Sequence, residues 1–442
     1  MKSIALAVED TSPRGIAGTI ARLIGTGELA PGDRLPTVRE LAAELGVSPA
    51  TVSQAWQELA GVGLLVSRGR SGSFVQAAST RWIPPRSRNL ADQPLARLDL
   101  STGTPDPQLL PDIGPALSRV SSRAGTASYL DSPVLPELGE VLRASWPYAV
   151  EAITVVDGAM DAISRALDLV LRFGSRVVVE TPGFPPIFDL LEHLGIERLP
   201  VELDEHGIRP DSLAAALKHT PAAIVLQPRA HNPAGVSMDE ERARELARVI
   251  RSSRSAENTV VIEDDHLGAI SAIPEVSLGR YIPERVLHIR SFSKSHGPDL
   301  RIAAIGGPEQ LIDRLVARRL LGPGWTSRML QTILHDLLTS PGTIDKISDA
   351  RRMYRARQRA LSDALARHGH TAHLPDGLNL WMRVADERAA VVQLAGAGIR
   401  VAAGTPFLAA PGGQFIRVTA GLVRDDFDAV GALLAGATRA RT

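Results

Sequence analysis

Apolar side chains recur at helical spacing three times between residues 12 and 60, and then alternate. Ile16, Ile20, Leu23 and Ile24 form the first stripe. Ser12-Pro13 precedes it as a cap with proline at the first helical position, and Gly25-Thr26-Gly27 ends it. Val38, Leu41, Ala42 and Leu45 form the second stripe, behind the capping box Thr37-Val38-Arg39-Glu40 and ahead of Gly46. Val52, Ala55, Trp56 and Leu59 form the third, opened by Ser48-Pro49. Only Gly46-Val47-Ser48 separates the second stripe from the third, which is helix-turn-helix spacing. Residues 64–75 then read as strand, polar glycine turn and strand.

The periodicity stops at residues 77–98. Trp82-Ile83-Pro84-Pro85 and Gln93-Pro94 break structure there, and four arginines face one aspartate, so the stretch reads as a short linker. From residue 99 onward short apolar strands alternate with amphipathic helices. Val177-Val178-Val179, residues 223–226, Val260-Val261-Ile262 and residues 286–289 are the strands; residues 160–171 and 240–250 are two of the helices. This alternation predicts an α/β body with a mostly parallel sheet and helices on both faces.

Composition narrows the chemistry. The chain has 442 residues, 44% hydrophobic and 22% charged, with no cysteine. Thiol nucleophiles, zinc–thiolate fingers and iron–sulfur clusters are excluded, and the lack of cysteine fits a reducing cytoplasm. No apolar run approaches the roughly 18 residues of a membrane-spanning helix, and the opening MKSIALAVED is too short for an export signal. Lys+Arg and Asp+Glu number 49 each, so a nucleic-acid role must rest on local features. No P-loop, HExxH, GxSxG or dinucleotide GxGxxG is present.

Local features at the front of the chain do point to DNA. In a helix-turn-helix the second helix enters the major groove with its first turn facing base edges. That turn is Ser48, Pro49, Ala50 and Thr51. Hydroxyls bond bases or phosphates, an alanine methyl meets a thymine methyl, and a bare helix N-terminus favours phosphate. Arg34, Arg39, Arg68 and Arg70 are candidate phosphate or minor-groove contacts. A protein-binding three-helix module is the alternative, since the first 76 residues hold seven basic and seven acidic residues. The run from Gly32-Asp33-Arg34-Leu35-Pro36-Thr37-Val38-Arg39-Glu40 through Leu45-Gly46-Val47-Ser48 to Gly72-Ser73-Phe74-Val75 closely resembles the winged helix of GntR-type transcriptional regulators. The resemblance implies that Arg39, Ser48, Ala50, Thr51 and the wing around Gly69 and Arg70 contact operator DNA. Pro49 and Ser53 stand where some members carry arginines.

The back of the chain offers the parts of a pyridoxal phosphate (PLP) pocket. Such a pocket needs a lysine for a Schiff base, a carboxylate for the ring nitrogen, and a helix N-terminus with hydroxyl or guanidinium groups for the phosphate. Lys294 lies among small hydroxyl residues, with Arg301 seven positions on; Val260 to Asp265 ends a strand in three acids; Val156-Asp157-Gly158 leads from a strand into a helix. Each alone has a plain reading, as exposed lysine, solvated acids or ordinary turn. His231, His266 and His296 fall on the same loops, but no carboxylate–histidine spacing supports a metal.

The order Gly158, Phe184, Asn232, Asp264, Lys294, Arg301 and Arg417 resembles aspartate-aminotransferase-type, fold type I enzymes over residues 99 to about 420. Leu100-Ser101-Thr102-Gly103, Tyr129-Leu130-Asp131, His231-Asn232-Pro233-Ala234-Gly235 and Phe415-Ile416-Arg417-Val418 agree with it. The resemblance implies that Lys294 carries PLP, Asp264 pairs its ring nitrogen, Asn232 bonds the ring hydroxyl and Phe184 stacks on the ring. Ser291, Ser293, Arg301 and the Gly158 and Ala159 amides would hold the phosphate. Tyr129 would reach the phosphate site of the partner subunit, while Arg417 and Gly103 would receive an amino-acid carboxylate. Two departures stand out. His266 occupies the place of a tyrosine on the ring hydroxyl. Asp157 replaces a serine or threonine beside the phosphate, where a carboxylate repels a dianion unless it turns away to cap the helix.

The two halves together resemble the MocR subfamily of GntR-type regulators. The expectation is a winged helix-turn-helix domain (residues 1–76), a linker (77–98) and a fold type I PLP-dependent transferase-like domain (99–442). The last divides into a large subdomain (about 130–335) and a smaller α+β subdomain (about 336–442). Such a chain would be a cytoplasmic homodimer whose DNA binding answers to PLP or to an amine or amino acid displacing Lys294. A working aminotransferase with a DNA-binding arm, and a regulator using the body only as a scaffold, are the alternatives.

Overall fold

The computed structural model describes residues 4–61, 64–67, 72–76, 86, 96–120, 131–172, 174–371 and 374–440. Arg68, Gly69, Arg70 and Tyr129 lie outside them. Contacts divide the chain into two compact units, Met1–Arg88 with Phe188–Glu197, and Asn89–Ile187 with Arg198–Thr442. Among the described residues no helix is long and apolar enough to cross a membrane.

The N-terminal elements are α1 (Ile4–Ala7), α2 (Pro13–Gly25), α3 (Val38–Leu45), α4 (Pro49–Gly61), β1 (Leu65–Ser67) and β2 (Ser73–Val75). Local chemistry sets their ends. The Ser12 side chain accepts from the Gly15 amide at 3.1 Å. In the capping box the Glu40 amide donates to Thr37 Oγ1 at 3.3 Å and the Thr37 amide to Glu40 Oε2 at 2.7 Å. Gly46 ends α3 at φ +68°, where a β-carbon is strained. The expected stripes meet in one core of Ile16, Ile20, Leu41, Val52, Ala55 and Leu59, all fully or almost fully buried. Each of these Ile, Leu and Val side chains contributes about 1.5–3 kcal/mol on leaving water. The wing is antiparallel, Leu65 opposite Val75, and residues 32–35 add a further edge through Leu35 N to Ser73 O (2.9 Å) and Val75 N to Asp33 O (2.9 Å). The short α1 was not anticipated; its Ile4 joins the same core.

In the body, β3 (Leu98–Asp99) is followed by β4 (Ala152–Val156), β5 (Arg176–Thr181), β6 (Glu197–Asp204), β7 (Gly207–Ile208), β8 (Ala223–Leu226), β9 (Val260–Asp265), β10 (Val286–Ser291) and β11 (Ala303–Gly307). The eight from β4 to β11 form one sheet in the order β4-β11-β10-β9-β8-β5-β6-β7. The stretch β10-β9-β8-β5 is parallel, and β11 runs antiparallel between β10 and β4. Parallel strands this rich in Val and Ile are buried on both faces. Leu213, Leu217, Leu246 and Ile250 from two helices pack with Val178, Ile224 and Val261. Leu138, Leu142, Ile333 and Leu337 pack with Val155 and Ala304.

Past the large sheet come β12 (Leu380–Arg383), β13 (Ile399–Arg400), β14 (Ala402–Ala403) and β15 (Phe415–Val418), with an antiparallel sheet in the order β12-β15-β14. Leu361 and Leu365 of the long helix Pro341–Arg367 and Leu434 of the helix Phe427–Ala437 cover it. Leu100 belongs to this core, and β3 pairs with β13. Residues 98–100 thus pack with the C-terminal elements.

Strand register explains where chemistry gathers. Ser291 at the end of β10 pairs with Ala303 at the start of β11, which pairs with Val156 at the end of β4. Ile289 is level with Asp264 on β9, and Leu226 on β8 is level with Glu263. Residues 157–159, 227, 264–266, 291–294 and 301 therefore reach one rim of the sheet, outside the carboxyl ends of its parallel strands.

Candidate functional site

The rim encloses a cavity of about 200 Å³. Gly103, Ala159, Phe184, Asn232, Asp264, His266, Ser291, Ser293, Lys294, Arg301 and Arg417 line it, all of them singled out in the sequence. Thr102, Met160 and Gln227 line it as well.

At one end the helix Ala159–Val170 points its N-terminus at the rim. Its capping position is Gly158, at φ +105° and with no side-chain cap, so the first amides stay available to an anion. A β-carbon on Gly158 would lie 2.6 Å from Arg301 Nη2. Arg301 itself sits at φ +47° and donates to the Asp157 carbonyl at 3.4 Å. A glycine amide, a guanidinium and the Ser291 and Ser293 hydroxyls are what a phosphate requires.

Asp157 does turn away, but not to cap the helix. Its Oδ2 accepts from Arg319 Nη2 and its Oδ1 from Thr326 Oγ1, each at 2.7 Å. Arg319 is buried, so the carboxylate has a fixed counter-charge. The acid in the first turn is Asp161, whose Oδ2 accepts from the Asp157 amide at 3.2 Å. The sequence held no local sign of Arg319, because it arrives from a helix 162 residues on.

Lys294 stands on the loop after β10 and donates from Nζ to the Gly103 carbonyl at 2.9 Å. Burial pushes its pKa down to about 8, and the Arg417 charge adds to this. A lysine near 8 keeps a usable fraction of neutral, nucleophilic amine at neutral pH.

Asp264 is fully buried, and burial pushes its carboxyl up to about 6. A hydrogen bond from Gln227 works against that rise, while the charges of Asp265 and Glu180 add to it. Gln227 Nε2 donates to Asp264 Oδ2 at 2.8 Å, and among the described residues Asp264 Oδ1 has no hydrogen-bond partner. A buried carboxylate oxygen without a donor costs free energy until one arrives. The ring nitrogen of PLP is such a donor, so the residues present fit that cofactor.

Asn232 Oδ1 accepts from Arg417 Nη1 and Asn379 Nδ2, both at 3.3 Å, which leaves its NH₂ as the group to offer a ligand hydroxyl. Arg417 also donates to the Ser101 carbonyl and lies 4.9 Å over the Phe407 ring. Burial holds its pKa down at about 10, and among the described residues its Nε lacks a partner. A β-carbon on Gly103, at φ +64°, would come 3.0 Å from Arg417 Nη1, so glycine lets the backbone lie against the guanidinium.

His266 is half-buried, and among the described residues its Nδ1 is unpartnered. Burial first and the Lys294 charge second push it down to about 3, so it is a neutral imidazole at any working pH. His231 and His296 are buried; His231 Nε2 lies 3.3 Å from Glu180 and His296 Nδ1 bonds Ser295 Oγ at 2.8 Å. Asp265, Glu275 and His288 approach one another, but Arg229 bridges the two acids and His288 pairs with Glu263.

Sequence reading passed over Gln227, Glu180 and Arg319. Gln227 had one available signal: it is the first polar residue after four buried aliphatic ones, at the carboxyl end of β8.

In the N-terminal unit Arg34, Arg39, Ser48 and Ala50 are exposed and Thr51 is half-buried. Arg34 bridges to Phe74 at the base of the wing. Ser48 Oγ accepts from the Thr51 amide at 3.2 Å and lies 2.9 Å from Thr51 Oγ1. The start of α4 is therefore capped rather than bare, and one hydroxyl proton of the pair is taken up internally. The exposed Ala50 methyl and the remaining hydroxyl capacity face solvent.

Two family descriptions match the chain: "Bacterial regulatory proteins, gntR family" over residues 14–75 and "Aminotransferase class I and II" over residues 97–430. The chain is 34% identical over 423 residues to the vitamin B6 salvage pathway transcriptional repressor PtsJ of Salmonella typhimurium, across 95% of this chain and 96% of that one. It is 28% identical over 374 residues to the HTH-type pyridoxine biosynthesis transcriptional regulator PdxR of Corynebacterium glutamicum, across 81% and 80%. The α-aminoadipate aminotransferase LysN of Thermus thermophilus, complexed with N-(5'-phosphopyridoxyl)-L-leucine, matches at a TM-score of 0.68 with 23% identity, over 77% of this chain and 92% of that one. That likeness establishes the fold type I architecture. A gntR-family winged helix ahead of an aminotransferase class I and II domain, matched almost end to end by a transcriptional repressor, makes this chain a member of the MocR-type branch of the GntR transcriptional regulators.

Proposed function

We propose that this regulator holds PLP in the rim cavity and answers to it, alone or together with an amino acid, by changing its hold on operator DNA. One observation carries the reading: the Lys294 amine, made less basic by burial, and the unpartnered Oδ1 of Asp264 line the same cavity. When bound, PLP supplies an aldehyde and an electron-accepting ring. Lys294 offers its amine to the aldehyde, and Asp264 holds the ring nitrogen. Asn232 offers its NH₂ to the ring hydroxyl, with neutral His266 beside it. Phe184 covers a ring face, and Gly158, Ala159, Ser291, Ser293 and Arg301 hold the phosphate. Arg417 and Gly103 receive a carboxylate, and Tyr129 completes the site across a homodimer. Arg34, Arg39, Ser48, Ala50, Thr51, Gly69 and Arg70 meet the operator, in the cytoplasm. The names of PtsJ and PdxR, both tied to vitamin B6, support a B6 compound as effector.

A second reading, in which bound amino acids are also turned over, uses buried Arg417 in the same way. The test is a titration with PLP followed by near-ultraviolet and visible absorption, with Lys294→Ala beside it. A band that requires Lys294 supports the proposal; no band in the unaltered chain at saturating PLP overturns it. Added amino acids that change operator affinity without forming keto acid mark a regulator. With a second keto acid supplied to accept the amino group, product keto acid accumulating over many turnovers marks an aminotransferase.

A further inference from the structure

One buried side chain ties the cofactor end of the cavity together. Gln227 occupies the first position past β8. Its Oε1 accepts from the Asn232 amide at 2.8 Å and its Nε2 donates to Asp264 Oδ2 at 2.8 Å. Its own amide donates to Glu180 Oε2 at 2.9 Å. The orientation of the side-chain amide is not free. A backbone N–H can only donate, so Oε1 must face Asn232, and the NH₂ must then face Asp264. Asp264 Oδ2 thereby already accepts from Gln227, while Oδ1 stands unpartnered among the described residues and is the oxygen left open to a ligand donor.

We propose that Gln227 is a positioning residue for the ring-nitrogen carboxylate: it fixes which Asp264 oxygen faces the cofactor and keeps that carboxylate ionised in a buried place. This rests on the PLP reading above. The surroundings show why a donor is needed there. Asp264 faces Glu180 from β5, Asp265 on its own strand, His288 from β10 and Lys294 from the loop after β10. Two of these four are acids, and burial already favours the neutral form. The Gln227 hydrogen bond opposes both effects. The same side chain sets the Asn232 backbone, so one amide spans the residues expected at the ring nitrogen and the ring hydroxyl.

The experiment measures the PLP dissociation constant from pH 5 to 9 for the unaltered full chain, Gln227→Met and Gln227→Glu. Thermal unfolding of each without PLP monitors folding. The Met side chain keeps the length and removes both the donor to Asp264 and the acceptor of the Asn232 amide; the Glu side chain keeps the shape and that acceptor, and places a third acid against Asp264. Affinity of the unaltered chain falls on acidification, as Asp264 takes up a proton below about pH 6. The second ionisation of a phosphate monoester, near 6, adds to the fall but is common to all three proteins. In Gln227→Met the midpoint of the fall moves up by about one pH unit, a tenfold loss at a fixed pH within the window. Most of the affinity returns at pH 9. In Gln227→Glu it moves further in the same direction. A uniform loss at every pH, with unmoved midpoints in both variants, overturns the proposal and leaves Gln227 a packing residue. No binding to the unaltered chain at any pH overturns both this proposal and the PLP reading; binding with unmoved midpoints overturns this one alone.

Discussion

The winged-helix unit and the aminotransferase-like body use their residues in opposite ways. In the first, residues close in sequence make the structure, and most of the described side chains expected to meet DNA lie exposed on it. Arg39 and Ala50 touch solvent, while Ile16, Leu41 and Val52 hold the fold. In the second, the same side chains do both jobs. Asp264, Lys294, Asn232 and Arg417 lie between residues 232 and 417, are buried or nearly so, and have pKa values or hydrogen bonds set by one another. An exposed reader can change its side chains with little effect on folding. A buried pocket cannot, because each charge is held in place by the next.

The sharpest way to break that contrast is Trp56→Ala. Trp56 is 7% exposed in the small N-terminal core, and truncating such a side chain costs about 3–5 kcal/mol. Operator binding in a fluorescence-anisotropy titration should vanish, while the Lys294-dependent absorption band persists. Loss of both would mean that the two units do not fold separately.

Asp264→Asn tests the other side. It removes the carboxylate while leaving a group of the same shape, and PLP affinity at neutral pH should fall roughly 10- to 100-fold, the worth of a charge-assisted hydrogen bond. Secondary structure and operator binding without PLP should stay unchanged.

The pH dependence of stability without cofactor has opposing parts. Asp264 is raised from 3.8 to about 6, so the folded state binds the extra proton and this group favours folding as pH falls from 6 to 4. His266 and His296 are lowered from 6.5 to about 3 and about 4; the unfolded chain binds those protons, so these groups disfavour folding as pH falls below 6.5. Asp264→Asn should therefore make acid destabilisation between pH 6 and 4 steeper, by up to about 3 kcal/mol. Urea unfolding at the two pH values measures it; an unchanged slope would place the Asp264 proton elsewhere.

Smaller effects belong to the reader. Arg39→Ala should weaken operator binding and lower the slope of log affinity against log salt by about 1, if Arg39 meets a phosphate. Thr37→Ala breaks the capping box and should cost about 1 kcal/mol in the thermal unfolding of this unit.

The same contrast decides what the sequence could tell. Thr37, Glu40 and Gly46 bound α3 to the residue, because caps act over three or four positions. The short α1 escaped, since four residues carry no periodicity and Ile4 is placed by distant partners. The runs of Val and Ile made β5, β8, β9 and β10 legible. No such run marks β11, Ala303-Ala304-Ile305-Gly306-Gly307, which is a strand because β10 and β4 flank it. In the pocket, family resemblance named residues for a cofactor, and the structure places most of them around one cavity, with Tyr129 outside its described part. It missed the polar partners behind them. Nothing near Gln227 foretold Asp264 37 positions on, and nothing near Asp157 foretold Arg319.

The reversed direction of β11 has a bearing on how this chain tolerates insertion and deletion. Parallel neighbours in the sheet are joined through helices that carry the chain back to the opposite edge, and such connections absorb added residues at their far ends. Between β10 and β11 the chain leaves and re-enters at the same edge, so residues 292–302 never make that return journey. Lys294 and Arg301 ride on this one short turn, pinned at both ends by the pairing of Ser291 with Ala303. A residue added there would displace amine and guanidinium together, whereas one added after the helix Glu240–Ser252 would displace neither. The length of that turn should vary less among working variants of this chain than any helical connection around the sheet.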